Sequence, residues 1–129
     1  MEIKDLIGKT LIKISVGEES TEILFYDNIG KIYKMYHEQN CCEKVYVEDI
    51  CGEIEDLINS PITKASEDTN SKRNSYDVDD NEDMMKWTFY NIGTEKGSVT
   101  IRWYGESNGY YSVSVDMEEV KDNEVSKRI

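Results

Sequence analysis

The segment with the most chemical character is Thr100–Asp116, which reads TIRWYGESNGYYSVSVD. If its apolar alternate residues face the core of a hairpin, the opposite face carries the Arg102 guanidinium, the Tyr104 and Tyr110 phenols and several hydroxyls. Such a face could stack a base or sugar on tyrosine and fix a charged group with arginine. Cross-strand Tyr–Arg and Tyr–Ser pairing on a solvent-facing sheet accounts for the same residues without a ligand. Both interpretations stay open at this point.

A second group of reactive side chains consists of His37 and the cysteines Cys41, Cys42 and Cys51. Structural zinc sites use pairs spaced as Cys-x-x-Cys, whereas two of these cysteines are adjacent and the third falls in a predicted helix. We therefore predict no metal site. We expect all three thiols to be reduced, because adjacent cysteines pair only with strain and the count is odd.

His37 is the only histidine, so any thiol nucleophile at Cys41 or Cys42 would need it as the base. Glu43 or Asp49 could orient its ring, but no local signature supports an oxyanion site. The chain also lacks a Gly-rich phosphate loop, a dinucleotide fingerprint and a His-Glu metal helix. We predict a protein that binds rather than catalyses, with no catalytic residue and no cofactor. The candidate binding residues are Arg102, Tyr104, Glu106, Asn108, Tyr110, Tyr111, His37, Glu43 and Asp49.

Alternating apolar and polar residues predict the strands that would position these groups. A helical spacing of isoleucine and leucine also predicts one amphipathic helix from Asp49 to about Asn59. The expected fold class is α+β, with an antiparallel sheet of about six strands, in two three-strand meanders, packed against that helix. The predicted strands are Thr10–Val16, Thr21–Asp27, Lys31–His37, Trp87–Ile92, Ser98–Tyr104 and Tyr110–Met117.

The length of 129 residues predicts one domain over residues 1–129. Residues 66–83 hold almost no core-forming side chains and predict a disordered insertion. Residues 118–129 are charged and predict a polar tail.

The formal net charge of −12 restricts the partners. Phosphate contacts need clustered Lys and Arg, so we exclude direct nucleic-acid binding, and anionic membrane surfaces for the same reason. A partner protein with a basic surface remains. The first residues show no secretory signal and no apolar run could span a bilayer, which predicts a cytoplasmic protein.

Four stretches resemble the hallmark segments of a small uncharacterised domain family common in bacteriophage and bacterial genomes. They are Tyr36–Gly52, with its CCEKVYVEDICG core, Ser60–Ile62, Trp87–Tyr90 and Thr100–Asp116. The resemblance omits residues 66–83. It implies a phage or mobile-element accessory protein acting in an infected or carrier bacterium, and it implies no activity and no catalytic residues.

Three functions follow as hypotheses. The first is a non-enzymatic inhibitor that binds a basic surface of a host or anti-phage defence protein. The second is a protein that sequesters a nucleotide-like signal on the face of Arg102, Tyr104 and Tyr110. The third is an enzyme that uses His37 with Cys41 or Cys42. Exposed edge strands allow either a monomer or a homodimer.

Overall fold

The computed structural model describes residues 1–73, 84–108 and 111–120, which form β-strands and two single-turn 3-10 helices. Alternating burial of successive side chains is clearest in the strand Gly97–Ser107, where Val99, Ile101 and Trp103 are buried and the residues between them are half-buried. The elements are η1 (Ile3–Leu6), β1 (Leu11–Val16), β2 (Glu22–Asp27), β3 (Ile32–Tyr36), β4 (Lys44–Cys51), η2 (Ile54–Leu57), β5 (Lys64–Arg73), β6 (Met84–Thr94), β7 (Gly97–Ser107) and β8 (Asp116–Glu119).

The strands form two four-stranded antiparallel sheets that pack face to face. The first sheet has the order β1-β2-β3-β8 and the second has the order β4-β7-β6-β5. Their inner faces share one core, in which the Trp103 indole nitrogen lies 3.1 Å from the Met35 sulfur of the opposite sheet. The fold is therefore a β-sandwich, and the α+β expectation of one sheet against a helix is wrong.

The predicted helix from Asp49 to about Asn59 is not present. Ile50 instead pairs with Ile101 near the end of β4, and only the short turn of η2 follows. Gly52 lies between β4 and η2 and has a φ of +111°. Because this angle is outside the helical region, no continuous helix can pass through Gly52. Leu57 is fully buried all the same, so the apolar spacing identified core positions but misassigned their element.

The predicted strand Tyr110–Met117 and its hairpin with β7 are also wrong. The chain leaves the second sheet after β7, and β8 pairs with β3 of the first sheet. Val113 crosses over Gly105 on the way, where a glycine is needed because an added Cβ would lie 2.7 Å from the Val113 Cβ. Tyr110 lies outside the described residues.

The first predicted meander is confirmed as β1, β2 and β3, with consecutive strands paired. Strand β5 extends through residues 66–73, which belong to the predicted insertion, and pairs with β6 in continuous register. Residues 74–83 lie outside the described part of the chain. Strand β8 reaches Glu119, into the predicted polar tail, while residues 121–129 are again outside the described part.

The β2–β3 turn is organised by a buried carboxylate. Asp27, with 2% of its surface exposed, accepts hydrogen bonds from the backbone N–H of Ile29 (3.0 Å) and Lys31 (2.9 Å) and from the Tyr33 hydroxyl (2.8 Å). Burial and this carboxylate raise the Tyr33 pKa above its ordinary value. The turn that joins the first two inner strands therefore depends on one side chain.

Replacing Asp27 with Ala removes the acceptor for all three donors. We expect the free energy of unfolding to fall by about 2–3 kcal/mol, because hydrogen bonds to a charged partner are lost and a buried hydroxyl keeps no acceptor. Urea denaturation followed by tryptophan fluorescence measures the change. Tyr33→Phe is the matched control and should lose less, since it removes one of the three bonds. Equal losses in both variants would contradict this role of Asp27.

Candidate functional site

The outer face of the second sheet carries a row of aromatic side chains. Directly paired residues of antiparallel strands project to the same side, and the register pairs Tyr46 with Tyr104 and Tyr104 with Trp87. In the next row Phe89 pairs with Arg102. We call Tyr46, Trp87, Phe89 and Tyr104 the aromatic face. All four are partly exposed, while the intervening β7 residues Ile101 and Trp103 are buried in the core.

Three rings of the aromatic face, those of Tyr46, Trp87 and Tyr104, pack against one another across three strands. The ring centroids of Tyr46 and Tyr104 are 5.7 Å apart at an interplanar angle of 62°, and those of Trp87 and Tyr104 are 5.3 Å apart at 52°. These are the tilted geometries that aromatic pairs favour. Tyr46, Trp87 and Tyr104 thus form a packed, partly exposed apolar patch on the outer surface of the sheet.

Arg102 is neutralised by its neighbours. Its Nε lies 2.8 Å from the Glu48 carboxylate, an ion pair whose angle does not make a hydrogen bond, and its Nη2 lies 3.9 Å from Asp49. The sequence placed Arg102 and Tyr104 on one face, which is confirmed. The guanidinium that was predicted to fix a charged group is shared by two carboxylates.

Four other candidate residues meet in a pocket at the end of β7. Glu43, Glu106, Asn108 and Tyr111 line a cavity of about 270 Å³, together with Cys42, Lys44 and Ser107. The Tyr104 hydroxyl donates to the Glu106 carboxylate at 2.8 Å, which links this pocket to the aromatic face. Burial and that hydrogen bond raise the pKa of Tyr104 to about 12.

His37 and Glu43 form a buried network behind the pocket. His37 Nε2 faces the Glu43 carboxylate at 2.9 Å, and its Nδ1 faces the Ser114 carbonyl at 2.7 Å. The same carboxylate accepts from the Cys41 and Asn40 backbone N–H groups at 2.8 and 3.0 Å. Both ring nitrogens thus have acceptor partners, and the imidazolium form satisfies both. The network fixes the loop between β3 and β4.

Of the two partners proposed for His37, the structure selects Glu43. Asp49 instead lies beside Arg102 and accepts a hydrogen bond from the Cys51 thiol at 3.2 Å. That bond, the Asp49 charge and burial raise the Cys51 pKa, the reverse of what an activated nucleophile needs.

Two of the three cysteines lie side by side. The sulfur atoms of Cys41 and Cys42 are adjacent in the structure, Cys51 is free and exposed, and the reduced state of the thiols stays a prediction. Among residues 1–73, 84–108 and 111–120, no group of three His, Cys, Asp or Glu side chains is arranged to hold a metal ion.

Sequence reasoning missed Tyr46, Glu48, Trp87 and Phe89 as members of this face. The alternation of Trp87, Thr88, Phe89 and Tyr90 is the available signal, but both of its faces carry aromatic rings, so it does not say which is buried. The structure buries Thr88 and Tyr90 and leaves the other two outside. On β4, a bulge between Val47 and Asp49 sets the register, and no pattern in the sequence marks it.

The Glu43 carboxylate makes stability depend on acid pH. Burial alone would raise its pKa, but hydrogen bonds from Cys41, His37 and Asn40 outweigh burial and lower it to about 2 from 4.5. A folded-state pKa below the unfolded one contributes stability above about pH 4.5, and this contribution is lost as pH falls toward 2.

We therefore expect the stability difference between wild type and Glu43→Gln to shrink as pH falls from 4.5 to 2. Urea denaturation at a series of pH values measures it. Glu55→Gln, at an exposed carboxylate of η2, is the control and should leave the pH profile of the wild type unchanged. A constant difference between wild type and Glu43→Gln over that range would contradict the assignment.

The fold is a β-sandwich with an aromatic outer face, and comparison with known families gives the family of the chain. A family model described as a domain of unknown function (DUF7448) matches residues 4–117, and the chain belongs to that family. No curated protein and no solved structure gave a match. Within the described part of the chain, no helix combines the length and apolar character that crossing a bilayer requires.

Proposed function

We propose that this chain is a non-enzymatic binding protein that docks on a basic surface of a partner protein through the aromatic face. The observation that carries the proposal is the cluster of Tyr46, Trp87 and Tyr104 on an outer sheet surface, with carboxylates around it. Aromatic residues are enriched at the energetic centres of protein interfaces, where they bury a large area at low entropic cost.

The charges around the aromatic face select a cationic partner. Glu48, Asp49 and Glu106 border it on β4 and β7, and Asp68 pairs with Phe89 from β5. Arg102 is the central cation, and its charge is already shared by two of these acids. Lysine and arginine side chains of a partner could stack on the rings and pair with the carboxylates at the rim. The formal charge of −12 adds long-range attraction to such a surface.

An anionic nucleotide fits this face poorly. Its phosphates would meet the carboxylates of Glu48 and Asp49, and Arg102 would have to leave both before it could bind them. A second candidate function is small-ligand binding in the pocket of Glu43, Glu106, Asn108 and Tyr111, because four residues selected from the sequence line it together. A nucleotide panel in thermal melts tests it, and no shift would remove it.

The origin of the partner rests on the resemblance to phage and bacterial segments. We propose that it is a host or anti-phage defence protein and that binding inhibits it. The cytoplasm of an infected or carrier bacterium is the proposed site of action. A target protein whose natural ligand is anionic would have the basic surface that this docking requires.

The test is capture from a bacterial lysate on the immobilised chain, followed by elution with rising salt. We expect to capture a protein with a basic surface. It should be released when added salt shortens the electrostatic screening length below its physiological value of about 8 Å. A retained protein without a basic surface, or a complex whose affinity does not change with salt, would contradict the proposal. Elution of the same protein from Tyr104→Ala at lower salt places the contact on the aromatic face.

A further inference from the structure

The edge strands of the two sheets differ in how well they are protected against pairing with another strand. Strands β1 and β4 each contain an irregularity in register, and β8 has only four residues. Bulges and short edge strands are two ways in which natural β-proteins prevent edge-to-edge association. Strand β5 has ten residues and pairs with β6 without a register shift over its whole length. Among the described strands, β5 therefore presents the one long and regular edge.

The outward edge of β5 offers backbone groups for a further strand. Because β5 is the last strand in the order β4-β7-β6-β5, no described strand pairs with the N–H and C=O groups that point away from β6. The 3-10 helix η1 packs near β5. The side chains from Glu67 to Asn70 are exposed. An antiparallel strand can therefore be added along β5 from Glu67 onward.

The charge pattern of β5 is complementary to itself. The strand reads KASEDTNSKR, so that Glu67 and Asp68 precede Asn70 by the same intervals at which Arg73 and Lys72 follow it. In an antiparallel pair of two copies centred on Asn70, position 68 lies opposite position 72 of the other copy, and position 67 lies opposite position 73. Opposite charges directly across two antiparallel strands stabilise the pair, whereas like charges destabilise it. A twofold axis repeats each of these pairings.

We propose that two copies of this chain associate through β5, antiparallel and in the register centred on Asn70. A second copy fits this edge because one strand supplies both halves of the charge pattern, as the isologous interface of a twofold dimer requires. Strand β5 also departs from the acidity of the chain, since it has three basic residues and two acids whereas the whole chain has a net charge of −12. Repulsion between two acidic copies is therefore weakest at this edge.

The dimer joins the two copies of the second sheet into one sheet of eight strands. The twofold axis of an antiparallel pair is perpendicular to the sheet, so both copies keep the same face on the same side. The two aromatic faces thus lie on one side of the extended sheet. This inference does not rest on the proposed function.

Exchange of Asp68 and Lys72 tests the register. Sedimentation velocity over a concentration series measures the Kd of the monomer–dimer equilibrium, and we expect a concentration-dependent dimer for the wild type. Asp68→Lys and Lys72→Asp should each raise the Kd by about tenfold, because each places like charges opposite one another at two positions. The double variant that carries both substitutions restores the opposite charges and should dimerise as the wild type does. Thermal melting shows whether each variant is folded.

The two single variants also control for general repulsion between acidic copies. Asp68→Lys makes the chain less acidic and Lys72→Asp makes it more acidic, so general repulsion would change the Kd in opposite directions. The proposed register instead predicts a weaker dimer for both. An equimolar mixture of the two single variants should form a heterodimer, because each variant supplies the charges that the other lacks.

Four results would overturn the proposal. The first is a wild type that remains monomeric up to about 1 mM. The second is a loss of affinity in only one of the folded single variants, and the third is a folded double variant that does not recover the dimer. The fourth is a dimer whose Kd neither substitution changes, because such a dimer forms through another surface.

Discussion

Gly52→Ala is expected to lower the free energy of unfolding by about 2–5 kcal/mol, a large part of the stability of a domain this size. Gly52 has a φ of +111°, where a side chain is strained. An added Cβ would also lie 2.6 Å from the Ser98 carbonyl oxygen and 3.2 Å from the Val99 Cα. Both neighbours are backbone atoms of β7, so relief requires movement of the strand that carries Arg102 and Tyr104. Urea denaturation followed by tryptophan fluorescence measures the loss.

Gly30→Ala is the matched control for this prediction. Gly30 also has a positive φ, of +89°, but no atom lies within 4 Å of the added Cβ. It should lose only the conformational part, about 1 kcal/mol. If the two alanine variants were equally stable, close packing of the β4–η2 turn on β7 would not be the reason for glycine at position 52.

Tyr104→Ala is expected to weaken the complex with the captured partner by about 30-fold or more, the effect of losing a central interface residue. Tyr104 lies between Tyr46 and Trp87, so its removal leaves both rings without their shared neighbour. It also releases Glu106 from its hydrogen bond. Titration calorimetry of the purified pair gives the change in Kd.

Tyr26→Ala is the control for the binding measurement. Tyr26 is likewise partly exposed, and it packs with the second apolar cluster on the outer face of the first sheet, 5.3 Å from the Lys13 ammonium. Its loss should leave the affinity within about threefold, as expected for a residue outside the interface. An equal loss of affinity in both variants would show that the aromatic face is not the contact surface.

The strands of the first meander were predictable because residues that favour strands are concentrated between turn signals. Strands β1, β2 and β3 agree closely with their predicted ranges, although three successive residues of β2 are buried and Ile12 of β1 is exposed. The helix prediction was wrong because the helical spacing of Ile50, Ile54 and Leu57 is a coincidence. Ile50 belongs to strand β4, the other two belong to the 3-10 helix η2, and a glycine with positive φ lies between these elements. The path of Val113 over Gly105 depends on contact between the two sheets, which periodicity along one strand does not report.

The candidate site was predictable where residues are near in sequence and not where strands had to be aligned. Arg102 and Tyr104 share a face by simple alternation, and Glu43 reaches His37 across a short loop. The pairing of Arg102 with Glu48 depends on the β4–β7 register and its bulge. From sequence, Arg102 and Tyr104 were interpreted as a site for an anionic ligand. The strand register instead surrounds them with carboxylates and aromatic rings.

Carboxylate footprinting of the captured complex by mass spectrometry tests the central claim most directly. The proposed docking predicts that partner binding reduces labelling of Glu48, Asp49 and Asp68, which are exposed around the aromatic face. Labelling of Glu18 and Glu119 on the first sheet and its loops should not change. Protection of those two residues, with the carboxylates around the aromatic face still labelled, would contradict docking through the second sheet.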